Sequence, residues 1–147
     1  MIQISCPACG VGNRIPTAKT GRAAKCGKCH EKLPRVWWQE PVVADDVSFQ
    51  DEVLDSHLPV LVDFWAPWCA PCRTLSPGLV LLAEELAGRL KVVKVNTDEN
   101  PGLAKSYQIH SIPTLMLFSE GDIQNKRMGA MPVGQLRNWI NRSLGWL

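Results

Sequence analysis

The chain has 147 residues, of which 46% are apolar and 20% are charged, so it can bury the core of one ordinary domain plus a small module. Its formal net charge of +2 excludes a disordered polyelectrolyte, and no apolar run approaches the ~18 residues that a membrane span needs. The first residues contain no basic segment followed by an apolar stretch. We therefore expect no secretory signal peptide, no membrane association and a cytoplasmic location.

Both charge and cysteine content change near residue 35. Residues 1–35 contain seven Lys or Arg and one acid, whereas residues 36–147 contain nine Lys or Arg and thirteen acids. Four of the six cysteines lie in the first segment, and all six form C-x-x-C pairs. This break predicts two modules, residues 1–35 and 42–147, joined by a linker over residues 36–41 that Pro34 and Pro41 bracket.

The N-terminal module has the cysteine spacing of a zinc ribbon. Two C-x-x-C pairs are separated by sixteen residues, and four thiolates are the usual closed ligand set of structural zinc. The module has too few large apolar side chains for a fold without a metal, so we expect one structural Zn²⁺ to hold it together. The predicted ligands are Cys6, Cys9, Cys26 and Cys29.

Three other interpretations of this module are weaker. Two structural disulfides are disfavoured because the expected compartment is reducing. His30, next to Cys29, could replace it as a ligand, but an exposed histidine beside a complete site fits better. The basic charge invites nucleic-acid binding, yet residues 1–35 contain no Phe, Tyr or Trp on which bases could stack. We therefore regard nucleic acid as an improbable partner.

The larger module shows alternating strand and helix signals. The run Val60-Leu61-Val62-Asp63-Phe64-Trp65 is typical of a parallel strand buried on both faces. A long amphipathic pattern follows Cys69, and a second buried strand at residues 91–95 implies a right-handed parallel crossover. Together the segments predict an α/β fold, a mixed central sheet covered by helices on both faces. The remaining predicted elements are a short strand at 42–44, helices at 47–58, 101–107 and 134–144, and a hairpin of 114–118 with 123–128.

The third C-x-x-C pair carries the chemistry. Cys69 and Cys72 follow a buried strand and open a helix, where residues i and i+3 share a face and can close a disulfide. The N–H groups at the start of the helix stabilise a thiolate at Cys69, while Cys72 lies one turn further in. We expect Cys69 to attack and Cys72 to resolve.

The segment Asp63-Phe64-Trp65-Ala66-Pro67-Trp68-Cys69-Ala70-Pro71-Cys72-Arg73 resembles the active-site stretch of the thioredoxin family. Three further motifs agree, and the resemblance covers about residues 42–147. The motifs are Asn96-x-Asp98-x-Asn100-Pro101, Ile112-Pro113-Thr114 and Gly129-Ala130-x-x-x-x-Gln135-Leu136. The chain departs from the family at Ala70, where glycine is usual, and at Ser111 and Arg73. Ala70 leaves the redox potential open.

The resemblance implies a thioredoxin fold preceded by the zinc ribbon, and it implies roles for further residues. By this resemblance, we expect Asp63 to be a buried carboxylate that exchanges a proton with Cys72. We expect Pro113 to be a cis proline and the main chain of Ile112 to pair with an extended substrate. Trp68 and Pro71 form the apolar rim of the substrate site.

The predicted function is thiol–disulfide exchange: a cytoplasmic electron carrier that reduces protein disulfides through Cys69 and Cys72. By resemblance, an NADPH-dependent flavoprotein thioredoxin reductase recharges it. Two alternatives remain open. One is an oxidase or isomerase of an oxidising compartment. The other is a zinc-ribbon adapter or chaperone in which redox activity is secondary.

Overall fold

The computed structural model describes residues 2–16, 22–34 and 38–146. The chain divides into two compact units, Met1–Trp37 and Trp38–Leu147. Val36 and Trp37, which belong to the expected linker, lie outside the described residues. No helix among the described residues has the length and apolarity needed to cross a membrane.

The first unit is a small β-structure with a minimal core. Strands β1 (Ile2–Ser5) and β2 (Gly12–Ile15) pair antiparallel, and a single bridge joins Lys25 to Lys32. Four of the described residues of this unit form its buried core, and two of them are cysteines. That core consists of Ile4, Cys6, Cys26 and Leu33. So small an apolar cluster agrees with the expectation that a metal must stabilise this unit.

The second unit contains a five-stranded mixed sheet in the order β3-β5-β4-β6-β7. Strands β3, β4 and β5 run parallel, whereas β6 and β7 are antiparallel to their neighbours. The helices α1, α2 and α3 connect or follow these strands. The bounds are β3 Val42–Val43, β4 Val60–Trp65, α1 Ala70–Glu85, β5 Lys91–Asn96, α2 Pro101–Ser106, β6 Thr114–Ser119, β7 Asp122–Met128 and α3 Val133–Ser143.

Two apolar clusters cover the two faces of this sheet, as the predicted fold requires. One packs residues of α1 and α3, such as Leu79 and Ile140, against Leu61 of β4. The other packs Phe49 and Val53 against the opposite face. Successive residues of β4 therefore alternate between the clusters, and both faces of the strand are buried.

The helix expected over residues 47–58 is a short π-helical turn, Gln50–Leu54. Val47, the first residue of the expected helix, is 91% exposed. Phe49 occupies the core instead, 5.4 Å from the ring of Tyr107 and 6.0 Å from that of Phe118. The aromatic contacts therefore set the register of this turn.

Lys91 is a fully buried cation at the start of β5. Its Nζ donates to the carbonyl oxygen of Glu52 at 2.8 Å and forms an ion pair with the Glu52 carboxylate. The same Nζ lies 4.0 Å from the ring centroid of Trp38. Burial lowers the pKa of Lys91, and the hydrogen bond and charge of Glu52 oppose that shift. A carboxylate, a carbonyl and an aromatic face thus replace water around the ammonium group.

Glu52→Gln removes the countercharge of Lys91, so we expect the free energy of unfolding to fall by about 2–4 kcal/mol. Urea denaturation at pH 7 measures the change. The double variant Glu52→Gln with Lys91→Met removes the stranded charge as well and should recover at least half of the loss. A double variant as unstable as Glu52→Gln alone would contradict this account of the buried ammonium.

Candidate active site

The Cys69–Cys72 pair lies where the central strand β4 passes into α1. Cys69 is the N-cap residue, with an extended backbone (φ −87°, ψ 109°), and its Sγ accepts a hydrogen bond from the backbone N–H of Cys72 at 3.2 Å. Ala70 begins the helix and Pro71 follows in its first turn, where proline is tolerated because the N–H has no helical partner. The amide of the third helical residue thus points at the sulfur of Cys69.

The two cysteines form a disulfide with a Cα–Cα separation of 5.3 Å. In this oxidised form Cys69 is 4% exposed and Cys72 is 2% exposed. Solvent exposure therefore does not distinguish the two cysteines. Their backbone positions do, since Cys69 caps the helix and Cys72 lies within its first turn.

Two polar contacts hold the loop that precedes the disulfide. Arg73 donates from its guanidinium to the carbonyl oxygen of Pro67 at 2.8 Å. Trp68 donates from Nε1 to the carboxylate of Asp98 at 3.0 Å, which leaves its ring exposed beside the disulfide. Asp98 and Arg73 both lie within the motifs that resemble the family, but the sequence predicts no partner for either.

The loop before β6 approaches the disulfide from the other side. The Ile112–Pro113 peptide bond is cis, as the family resemblance implied. The carbonyl oxygen of Ile112 lies 3.7 Å from Cys69 Sγ. Trp68 and Ile112 line one cavity of about 270 Å³ beside the disulfide, together with His110. Pro113 is buried and Pro71 is exposed, so Pro113 supports the loop while Pro71 faces outward.

Asp63 is a fully buried carboxyl group on β4. No described residue donates a hydrogen bond to either of its oxygens, and the nearest cation, Lys94 Nζ, lies 3.9 Å away. Burial raises the pKa of Asp63 from 3.8 to about 7, although the charge of Lys94 acts in the opposite direction. Along β4, the side chain of Asp63 lies on the opposite face of the sheet from Val62 and on the same face as Leu61. Because α1 covers that face, Asp63 lies beneath the helix that carries Cys72.

The four N-terminal cysteines also come together. Their Sγ atoms lie within 4.8 Å of one another; Cys6 and Cys29 approach to 3.5 Å, and Cys9 and Cys26 approach to 3.7 Å. A tetrahedral zinc with bonds of about 2.3 Å places its sulfurs about 3.8 Å apart. The donor set and its spacing therefore fit one zinc ion.

Two equivalent turns present these sulfurs. In the first, Gly10 N–H bonds to the carbonyl of Cys6; in the second, His30 N–H bonds to the carbonyl of Cys26. Gly10 and His30 both have positive φ, 77° and 64°. His30 therefore takes the left-handed position that glycine takes in the other turn. It is absent from the ligand cluster found among the described residues.

Comparison with known proteins gives two matching family models. The model described as thioredoxin matches residues 40–142, and the model described as thioredoxin 2, N-terminal, matches residues 5–31. The second match contains all four clustered cysteines.

Several individual proteins are similar to the larger unit. A thioredoxin of Rickettsia felis is 50% identical over 99 residues, which cover 67% of this chain and 94% of that protein. A thioredoxin of Porphyra purpurea is 52% identical over 97 residues, 66% of this chain and 91% of that protein. Thioredoxin 1 of Synechococcus elongatus is 50% identical over 99 residues, which cover 67% of this chain and 92% of that protein.

Asp63 should make the stability of the oxidised protein depend on pH. Between about pH 4 and pH 7 the folded chain keeps a proton that the unfolded chain has released, so the free energy of unfolding falls as pH rises through that range. The shift of Asp63 from 3.8 to about 7 corresponds to about 4 kcal/mol over that range. Asp63→Asn should lose this dependence and be more stable at pH 8. Parallel pH profiles for the two proteins would contradict the assignment.

Proposed function

This chain belongs to the thioredoxin family of thiol–disulfide oxidoreductases, and from that premise we propose how its residues divide the reduction of protein disulfides. The observation that carries the proposal is the Cys69–Cys72 disulfide at the start of α1, beside the Ile112 carbonyl. In the reduced protein, Cys69 is the attacking thiolate. The Cys72 amide that donates to its sulfur lowers the cost of the negative charge.

The exchange takes two steps. The Cys69 thiolate bonds to one sulfur of the substrate disulfide, and the other substrate sulfur leaves as a thiolate that takes up a proton. Cys72, once deprotonated, then bonds to Cys69 and displaces the first substrate sulfur, which is protonated in turn. The substrate gains two electrons and two protons, and the protein ends as the disulfide that the structure contains.

We assign the deprotonation of Cys72 to Asp63. A general base works best when its pKa lies near the working pH, and burial raises that of Asp63 to about 7. Its position on β4 beneath α1 places it on the same side of the sheet as the resolving cysteine. Lys94 lies between two partners, 3.9 Å from Asp63 and 3.3 Å from Ser76 Oγ of α1, and moderates the charge that Asp63 acquires.

The substrate site consists of the surfaces on both sides of the disulfide. Trp68 and Pro71 supply exposed apolar contacts, and Asp98 fixes the orientation of the Trp68 ring. The main chain of Ile112, held by the buried Pro113, pairs with an extended substrate segment as an added strand would.

We propose that residues 1–35 are a zinc ribbon, residues 36–41 a linker and residues 42–147 the thioredoxin domain. One zinc ion held by the four clustered cysteines supplies the structural constraint that the small core lacks. Four sulfur ligands complete a tetrahedron and leave no position for water, so the site is structural rather than hydrolytic.

In the cell, we place the protein in the cytoplasm as an electron carrier between an NADPH-dependent thioredoxin reductase and disulfide-containing proteins. The support is chemical, because four zinc-binding thiols and a reducing dithiol need a reducing compartment. Reduction of insulin disulfides, coupled to a thioredoxin reductase and NADPH, tests this chain of electron transfer directly. Absence of NADPH oxidation with active reductase and insulin present would reject it.

The two cysteines should differ in what they trap. Cys72→Ser removes the resolving sulfur, so Cys69 should remain joined to substrate as a mixed disulfide that mass spectrometry detects. Cys69→Ser is the matched control and should trap none, because the attacking sulfur is missing. Stable adducts on Cys72 in Cys69→Ser, with none in Cys72→Ser, would reverse the roles.

Freshly reduced, metal-replete protein should contain one zinc per chain by elemental analysis. A truncated chain beginning at Trp38 keeps the contact of Trp38 with Lys91 and should fold and reduce disulfides while binding no zinc. Less than half an equivalent of zinc in the full chain would reject the ribbon. A truncated chain that folds without reducing disulfides would place the ribbon in the active site.

A further inference from the structure

An apolar groove of about 520 Å³ lies between α1 and the segment that leads into α3. We call it the α1 groove. One wall is a face of α1, and the other is formed by the residues just before and at the start of α3. Its lining includes Thr74, Pro77, Gly78, Leu81, Met131 and Val133.

Residues of one wall of the groove pack against the core, and part of the opposite wall is exposed. Met131 and Val133 pack against the core cluster on this face of the sheet, so they cannot easily close over the groove. Leu81 is 48% exposed, although burying a leucine side chain would contribute favourably to folding. The described residues thus leave an open apolar surface of the size that binds ligands.

Gly78 deepens the groove at a cost to the helix. It lies inside α1, where glycine is less favourable than alanine by about 1 kcal/mol. Crowding does not require it, because an added Cβ would meet only the side chain of Val133, at 3.6 Å and 3.8 Å, which is ordinary contact. A side chain at this position would instead fill part of the groove.

The groove is continuous with the surface around the disulfide. Thr74 lies two residues beyond Cys72, and its hydroxyl bonds to the carbonyl of Ala70. Ala130, also in the lining, follows Gly129, whose N–H bonds to the carbonyl of Pro113 at 2.9 Å.

An ion pair lies beyond the other end of the groove. One helical turn beyond Leu81 and Val133, Arg137 Nε donates to the Glu85 carboxylate at 2.8 Å. The groove therefore extends from residues next to the active site toward this ion pair.

We infer that the α1 groove binds an apolar stretch of the substrate polypeptide that flanks its reactive cysteine. Leu81 lies twelve residues beyond Cys69, or about 18 Å along the helix. An extended chain covers this distance in about five or six residues. The inference rests on the proposed function, and it adds a preference for substrates with apolar side chains at that separation from the cysteine.

The test uses two synthetic peptides, each carrying one cysteine as a mixed disulfide with 2-nitro-5-thiobenzoate. One peptide has leucines five and six residues from the cysteine on both sides, and the other has serines there. Fully reduced protein is mixed with each, and release of the yellow thiolate gives the rate constant in a single turnover. The wild type should favour the leucine peptide by about tenfold, the ratio that partial burial of one apolar side chain produces.

Leu81→Gln should remove this preference, and Val80→Gln is its matched control. The two side chains are adjacent on α1 and are 48% and 49% exposed, but only Leu81 lines the groove. Gly78→Ala is a second variant, and it introduces no polar group. It should raise the melting temperature of the protein, because alanine stabilises the helix. It should also reduce the preference for the leucine peptide, because the added methyl group fills part of the groove.

Three results would overturn the inference: equal rates of the wild type with both peptides, equal effects of Leu81→Gln and Val80→Gln, or dimerisation that Leu81→Gln abolishes. The last would show that a second copy covers the groove. A small disulfide, 5,5′-dithiobis(2-nitrobenzoate), separates this failure from that of the proposed function. If the reduced wild type fails to reduce it, disulfide exchange itself is rejected.

Discussion

The hydrogen bond from the Cys72 amide to Cys69 Sγ is the contact on which the chemistry of this protein depends. It exists because β4 delivers the chain to the start of α1 with Cys69 as the helix cap. Two polar contacts and a neighbouring loop surround that junction. Arg73 and Asp98 secure the loop before it, and the cis loop at Ile112 closes on it from the opposite side.

Burial of Asp63 is the second constraint, and it makes the stability of the fold depend on the protonation of one carboxyl group. A carboxyl group without hydrogen-bond donors among the described residues is costly to ionise inside the sheet, and the same cost brings its pKa to about 7. In the mechanism we propose, this destabilising group is retained because it exchanges a proton with Cys72. Lys91 shows the opposite arrangement: a carboxylate, a carbonyl and the Trp38 ring surround that buried charge, so it serves the fold.

Much of this architecture could be predicted from the sequence because the signals were local. The continuous apolar run predicted the strand β4, and the C-x-x-C pair after it predicted the start of the helix α1. Contacts between distant residues could not be predicted in this way. A helix was expected over residues 47–58, but only a short turn forms there, and Phe49 packs against aromatic partners more than fifty residues away. Likewise, no local pattern joins Trp68 to Asp98 or Lys91 to Glu52.

The pH dependence of Cys69 alkylation tests the central claim most directly. The reduced protein is treated briefly with iodoacetamide between pH 5 and 10, and peptide mapping separates Cys69 from the other cysteines. If the helix start stabilises the thiolate, the midpoint for Cys69 lies at least one unit below the ~8.5 of an ordinary thiol. A midpoint at or above 8.5 would contradict the account, because the amide of Cys72 would then provide no electrostatic stabilisation for the attacking sulfur.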